Sequence, residues 1–377
     1  MRGDRRHAGV AKRRSSAATL PHSPDRCRRS LPWRQPTLVR LKYTFRARRF
    51  HVKQPEPTHS AAPERDSVGS AFDASTPLAR ELHHLTERRK ALAHATLPTP
   101  DHTRVFTVSN QKGGVGKTTT TVNIGAALAR SGARVLVIDL DPQGNASTAL
   151  GVEHHSDVPS VYDVLIDDFP LADVVQQSPE FPTLFCAPST IHLAGAEIEL
   201  VSQVAREHRL RTALEQFIQD AEEPFHYVLI DCPPSLGLLT INAFVAAKEV
   251  LIPIQCEYYA LEGLSQLLSS IQLIQRHLNP GLAVSTILLT MYDGRTNLAQ
   301  QVAQDVRDHF TGQVLESVIP RAVRISEAPS FGQSVISYDP TSLGAVSYLE
   351  AAAEIANRWA AGSSDTPDTN HPEGVSH

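Results

Sequence analysis

Cysteine is nearly missing from this chain. Of 377 residues only Cys27, Cys186, Cys232 and Cys256 are cysteines, far apart and never in a CxxC pair. That leaves no disulfide framework and no paired-thiolate metal site, and it fits unpaired core thiols in a reducing cytosol. No uninterrupted apolar run reaches the roughly 18 residues of a membrane-spanning helix. The N-terminus also has no apolar stretch of the kind that starts a secretory signal. Both absences make the cytoplasm the expected compartment. Carboxylates are scarce in one region: residues 1–53 contain only Asp4 and Asp25.

That last absence exposes an asymmetry hidden by the net charge of −4. Residues 1–100 hold 21 Lys+Arg against 8 Asp+Glu, a net of +13, which leaves 15 against 32 for the remainder, a net of −17. A basic leader is joined to an acidic body. Residues 1–53 show no sustained helical or strand period, so disorder is expected there. Residues 54–78 are rich in Pro, Ser and Ala and read as linker. Leu78, Leu82, Leu85 and Leu92 then recur at near-helical spacing, which predicts a short helix near 78–92. The leader reads as a solvated tail or as a tether to nucleic acid or another anionic surface.

The body alternates short Val/Ile/Leu runs, at 105–109, 135–139, 227–231, 250–254, 283–291 and 314–318, with helical patterns. Strands of that kind separated by helices predict an α/β fold, a doubly wound and mostly parallel sheet with helices on both faces. Ligands of such sheets bind at the carboxyl ends of the strands. The chain divides into a leader at 1–103, a body at 104–361 and a polar tail at 362–377 that is expected to fray.

The motifs fall at those carboxyl ends. The first run leads into Lys112-Gly113-Gly114-Val115-Gly116-Lys117-Thr118-Thr119 and then into an alanine-rich helical pattern. Strand, glycine-rich loop and helix together build a phosphate cradle, with backbone N–H groups and a helix N-terminus converging on the anion. Lys117 can reach the β- and γ-phosphates, and the Thr118 hydroxyl can bind Mg²⁺. The common G-x-x-x-x-G-K-[ST] pattern fails at its first glycine, which is Gln111 here, and a second lysine, Lys112, is added. The second run ends in Asp139-Leu140-Asp141-Pro142-Gln143-Gly144-Asn145, two carboxylates suited to an outer Mg²⁺ shell and to orienting a water. The third ends in Asp231-Cys232-Pro233-Pro234, a carboxylate delivered towards the Thr118 cation as a Walker B Asp is.

Taken together these residues resemble the ParA/MinD ATPases with a deviant Walker A motif, and most closely the chromosomal ParA (Soj) branch. Residues 193–200, 255–264 and 295–297 are further blocks similar to that branch, and the resemblance covers roughly residues 104–360. It implies ATP and Mg²⁺ as ligands and slow ATP hydrolysis. It implies an ATP-dependent homodimer in which Lys112 reaches the phosphates of the partner's ATP. Asp141 would then orient the attacking water, Asp139 and Asp231 would support Mg²⁺ indirectly, and Gly113 to Thr119 would hold the phosphates. The segment with Pro320 and Ala322 would meet adenine, although relatives often carry Asn at the position of Ala322. Partners by the same resemblance are non-specific DNA and a ParB-like centromere-binding protein, with the ATPase on the nucleoid and not on a membrane. Arg276, Arg295, Arg307, Arg321 and Arg324 are the candidate DNA contacts.

Two other readings compete. A MinD-like membrane-associated positioning ATPase would need a basic amphipathic C-terminal helix, and residues 348–359 are acidic to neutral. A cluster-carrying reductase or cobyrinate-type synthase would need paired ligand cysteines or a substrate domain. The resemblance bears once on the leader as well. Phe50-His51-Val52-Lys53-Gln54 is what one frame of the family's centromere-like palindrome, TGTTTCACGTGAAACA, encodes through its core. The expectation is that this DNA is or was a partition site and that translation starts further downstream. Met1 and Met291 are the only methionines, so that start would be GUG or UUG. Synonymous codons at 50–54 that break the palindrome would remove the idea.

Overall fold

The computed structural model describes residues 77–93, 96–257 and 260–363. The expectations for the Arg-rich stretch, the linker through residue 76, residues 50–54 and the tail from residue 364 lie outside the described residues. Along the chain the elements are α1 (Pro77–Ala93), β1 (Arg104–Val108), α2 (Lys117–Arg130), β2 (Val135–Asp139), α3 (Asn145–Ala149) and α4 (Val161–Ile166). There follow β3 (Gln176–Gln177), β4 (Leu184–Ala187), α5 (Leu193–Glu199), α6 (Arg209–Asp220), β5 (Tyr227–Asp231), α7 (Leu238–Ala246) and β6 (Glu249–Gln255). The remainder is α8 (Ala260–His277), β7 (Ala283–Tyr292), α9 (Asn297–His309), β8 (Val314–Pro320), α10 (Val323–Glu327), α11 (Val335–Tyr338) and α12 (Leu343–Ser363).

The strands form one sheet in the order β3-β4-β2-β5-β1-β6-β7-β8, with every pair parallel except β3–β4. β2 and β5 are buried at every position, because helices cover both faces and no solvent-facing alternation is required. Successive side chains still point to opposite faces. Leu136, Ile138, Val228 and Ile230 enter one core, together with Leu214 of α6 and Val302 of α9. Val135, Val137, Leu229 and Phe106 enter the other, closed by Leu128 of α2 and Ile355 of α12. The expected α/β sheet is therefore present, with two strands the sequence did not announce. β3 and β4 have two and four residues, too few for a readable period, and β4 is placed by its pairing with β2 (Leu136↔Phe185).

The predicted leader helix is α1. It docks on α12, where the Arg88 guanidinium donates to both carboxylate oxygens of Glu350, with Nε–Oε1 at 2.6 Å. Among the described residues no helix is long and apolar enough to cross a membrane.

Candidate active site

β2, β5 and β1 are consecutive neighbours in the sheet, so three motifs distant in sequence end side by side. Their parallel register pairs Asp139 with Asp231, and Asp231 with Val108, the last residue before the glycine-rich loop.

The loop is held from several sides before any ligand arrives. Asn110 donates from Nδ2 to the Pro253 carbonyl (2.9 Å), and its Oδ1 accepts from the Lys112 N–H (3.0 Å). Thr290, near the end of β7, donates from Oγ1 to the Val115 carbonyl (2.8 Å). Gly114 and Gly116 have φ of +75° and +91°, a region costly for a residue with a Cβ. A Cβ added at Gly113 or Gly114 would meet nothing within 4 Å, so the cradle is open above them. α2 begins at Lys117 without a side-chain cap, which leaves its first N–H groups to an anion or water.

The two lysines have opposite surroundings. Lys117 is buried and its Nζ has one long contact, 3.5 Å to the Lys112 carbonyl. Burial lowers its pKa, and the charges of Asp231, Cys232 and Asp141 oppose that shift. Lys112 lies at the rim, its side chain 39% exposed, with Nζ 2.6 Å from Glu257 Oε2. The other Glu257 oxygen accepts from Gln255 Nε2.

The carboxylates differ as sharply. Asp139 is fully engaged: Oδ1 accepts from the Asp141 N–H (3.1 Å), and Oδ2 accepts from the Ser147 N–H (2.9 Å) and hydroxyl (2.7 Å). Asp231 Oδ1 accepts from the Thr121 hydroxyl (3.1 Å), while Oδ2 is buried without a hydrogen-bond partner. Burial pushes Asp231 up to about 8, with the adjacent Asp139 charge adding to it and the Thr118 and Thr121 hydroxyls opposing it. Asp139 rises less, to about 6, because Ser147 offsets part of the same burial. Two buried carboxylates in register cannot both hold full charge without a cation. Asp141 is half-buried at the turn, where its Oδ1 accepts from the Gln143 N–H (3.0 Å).

These donors fit Mg²⁺ as it is held in nucleotide sites. One hydroxyl, Thr118, and one orphaned carboxylate oxygen leave most positions to waters and phosphates. Among the described residues no cluster of three or more His, Cys, Asp or Glu could hold a metal on its own.

The remaining sequence candidates divide. Pro320 is in register with Tyr292 of β7, so the predicted adenine segment ends beside the strand that braces the loop. Ala322 is half-buried just before α10. Arg295, Arg321 and Arg324 follow the carboxyl ends of β7 and β8. Arg295 is tied to Asp293 (2.8 Å), whose carboxyl it holds down at about 2 with a smaller contribution from Arg321. Arg324 pairs with Glu327 at 2.9 Å and Asp339 at 3.5 Å. Arg276 is not with them. It lies in the last turn of α8, three residues before Asn279, whose amide donates to the Phe244, Val245 and Ala247 carbonyls ahead of β6, at the amino ends of the strands. Arg307 is half-buried on α9, with its charge near the Cys256 thiol.

Sequence reasoning passed over Asn110, Ser147, Thr121 and Thr290, ordinary polar residues that only the register brings to the site. Glu257 lies in the block at 255–264, where no motif marks it as the partner of Lys112. A cavity of about 270 Å³ opens beside Thr118 and Thr119, walled by Asn123, Asn145, Pro329 and Gln333. A larger one, about 610 Å³ between α6 and residues 168–172, contains none of the motif residues.

A doubly wound sheet with a glycine-rich loop between β1 and α2, and acidic strand ends beside it, defines a P-loop nucleoside-triphosphatase fold. Comparison with known proteins narrows that class. A family model described as an AAA domain matches residues 103–284. Sporulation initiation inhibitor protein Soj of Bacillus subtilis is 54% identical over 253 residues, covering 67% of this chain and 98% of that protein. Chromosome partitioning protein ParA of Caulobacter vibrioides is 51% identical over 255 residues, covering 68% and 94%. Among solved structures, one titled cobyrinic acid a,c-diamide synthase from Mycobacterium smegmatis with bound ADP and magnesium has a TM-score of 0.59 at 40% identity, covering 69% of this chain and 96% of that one. The chain belongs to the ParA/Soj family of chromosome-partitioning ATPases.

Proposed function

We propose that this protein is an ATP-dependent DNA-partition switch. ATP-bound subunits pair face to face, the dimer binds DNA without sequence preference, and hydrolysis stimulated by a ParB-like partner releases it to the cytoplasm. The observation that carries the reading is the contrast between the two loop lysines: Lys117 buried inside the cradle with one 3.5 Å contact, Lys112 exposed at its rim. An inner lysine suffices for one triphosphate. An outer one has work when a second triphosphate is brought to the same face. Nucleotide and magnesium are supported by the bound ADP and magnesium of the M. smegmatis structure.

In this reading the loop N–H groups of Gly113 to Thr119 and the first turn of α2 hold the phosphates. Lys117 neutralises their charge, and Pro320 and Ala322 border the base. Bound Mg²⁺ would neutralise the phosphate oxygens, held by Thr118 directly and by Asp231 and Asp139 through water. Asp139 also positions Asp141 through its N–H, and Asp141 orients the attacking water. Phosphoryl transfer depends chiefly on positioning and electrostatics, so no strong general base is required. Arg295, Arg321 and Arg324 make one basic edge for DNA, and Arg276 lies apart from it. The MinD-like membrane alternative is disfavoured because the apolar face of α12 (Tyr348, Ala351, Ala352, Ile355) is buried in the body.

The test is light scattering and binding to arbitrary-sequence duplex with ATP and Mg²⁺, for the native chain and Lys112→Ala. ATP should give a dimer that binds DNA, and the substitution should abolish both. If ATP produces neither in the native chain, partition is the wrong reading.

A further inference from the structure

Glu197 Oε1, on α5, is buried without a hydrogen-bond partner. Leaving a buried acceptor unmet destabilises a fold, so stability does not explain its place. The packing around it is nevertheless well defined. Leu193 and Ala196 of α5 enter the same core as Leu239 and Ala243 of α7, and Glu197 thereby faces Gly237, the residue before α7. A Cβ built on Gly237 would stand 1.8 Å from Oε1 and 2.6 Å from Oε2. Gly237 has φ −85° and ψ −171°, extended backbone open to any residue, so space and not conformation requires glycine there. The Glu197 carboxylate occupies the place of the missing side chain.

Gly237 closes the loop at 232–237, which joins Asp231 at the end of β5 to α7. Pro233 and Pro234 fix φ through its first half. In its second half the Thr240 hydroxyl of α7 donates to the Ser235 carbonyl (2.6 Å). A shift at the start of α7 is therefore carried back to Asp231 and not absorbed on the way. α7 begins without a side-chain cap, and its uncapped N–H groups form a positive end that attracts a carboxylate. Glu197 is the acid placed against it. We propose that Glu197 is a positioning residue for ATP hydrolysis: its carboxylate, standing where a Gly237 side chain would be, sets the loop at 232–237 and with it Asp231. The inference rests on the ATPase reading and adds to it a residue from none of the three strand-end motifs.

The experiment follows phosphate release by the full chain with Mg²⁺ over a range of ATP concentrations, for the native protein, Glu197→Ala, Gly237→Ala and the double variant. Gly237→Ala leaves Glu197 in the chain and displaces only its flexible end. Each single variant should lower kcat about tenfold, since small misplacements near a reacting centre have large effects. KM for ATP should stay within about twofold, because the cradle at 113–119 is untouched. The double variant should fall no more than about twofold below the worse single one, the mark of one shared contact. Melting temperature should hold in both single variants, because one removes an unmet acceptor and the other stiffens the unfolded chain. A merely structural brace would lower it. Unchanged kcat in either single variant, multiplied losses in the double one, or losses of kcat that track a falling melting temperature would each overturn the proposal. Hydrogen exchange at residues 236–240 without nucleotide separates it from the ATPase reading. Exchange there should quicken about threefold or more in both single variants, and no change would overturn the proposal whatever the turnover. A native chain that turns over no ATP, with that quickening intact, would sink the ATPase reading and leave Glu197 as the group that sets the loop.

Discussion

Inside the cradle, charge is buried and under-partnered; on the rim around it, charge is exposed and paired. Lys117 has one long contact, Asp231 keeps an oxygen without a partner, and Asp139 lies in register beside it. A few residues away Lys112 is closed onto Glu257 and Arg295 onto Asp293. The difference reflects what each region is arranged to receive. Desolvated groups that fail to satisfy one another are stabilised by a ligand that brings phosphate and Mg²⁺ together. Exposed pairs contribute little and are exchanged at little cost when another surface offers better partners.

The largest way to break that comparison is at the buried lysine. Lys117→Ala removes the buried cation of the loop, and on the proposed reading ATP turnover should fall by about 10² to 10³-fold, the usual loss when one preorganised charge partner is deleted. Nucleotide affinity should fall with it, read by calorimetric titration. Lys112→Ala should act differently. ATP binding by the monomer should stay within about threefold while dimer formation is lost, because a rim group adds little to one site. If both substitutions weaken monomer binding equally, the distinction between interior and rim is wrong.

How far the sequence announced this arrangement follows the same division. Six of the eight strands are readable because parallel strands covered on both faces are largely apolar runs, and the three motifs lie at the ends of three of them. That those motifs touch depends on the order β2-β5-β1, which no local pattern encodes. Thr290 was hidden inside an apolar run and became a loop brace only through packing of β7 on the cradle. Asp139 reads as an indirect support of the cation beside Asp231, and no motif spells out that its own oxygens accept from Ser147 and the Asp141 N–H. The five candidate arginines all lie in the C-terminal half of the chain. A helix of 18 residues nevertheless carries Arg276 across the full height of the sheet.

A smaller effect sharpens the interior side. The Asp231 carboxyl is raised to about 8 in the fold, against about 3.9 in an unfolded chain. Between those values the folded state binds more protons than the unfolded one, so this group's contribution to stability declines as pH rises from about 4 to about 8. Protein free of nucleotide and Mg²⁺ should therefore lose melting temperature across that window. Asp231→Asn should flatten the decline and raise the melting temperature at pH 8, while abolishing turnover. Scanning calorimetry of both proteins at several pH values reads the difference directly. Parallel curves would mean that the carboxylate is not strained by its burial.

The smallest effect tests the rim. Glu257→Gln keeps the shape of the side chain and removes the charge holding Lys112. Both partners are well exposed, 39% and 48% of the side-chain surface, so the pair contributes about 0 to 1 kcal/mol. Melting temperature should move by no more than a few degrees, in contrast to the interior substitution. If freeing Lys112 is all the variant does, ATP-dependent dimers should form at equal or lower protein concentration, because the lysine no longer leaves one carboxylate to reach a phosphate. A weaker dimer with an unchanged monomer would mean that Glu257 itself meets the second subunit. The rim pair would then belong to the interface and would not be a resting contact of the free protein.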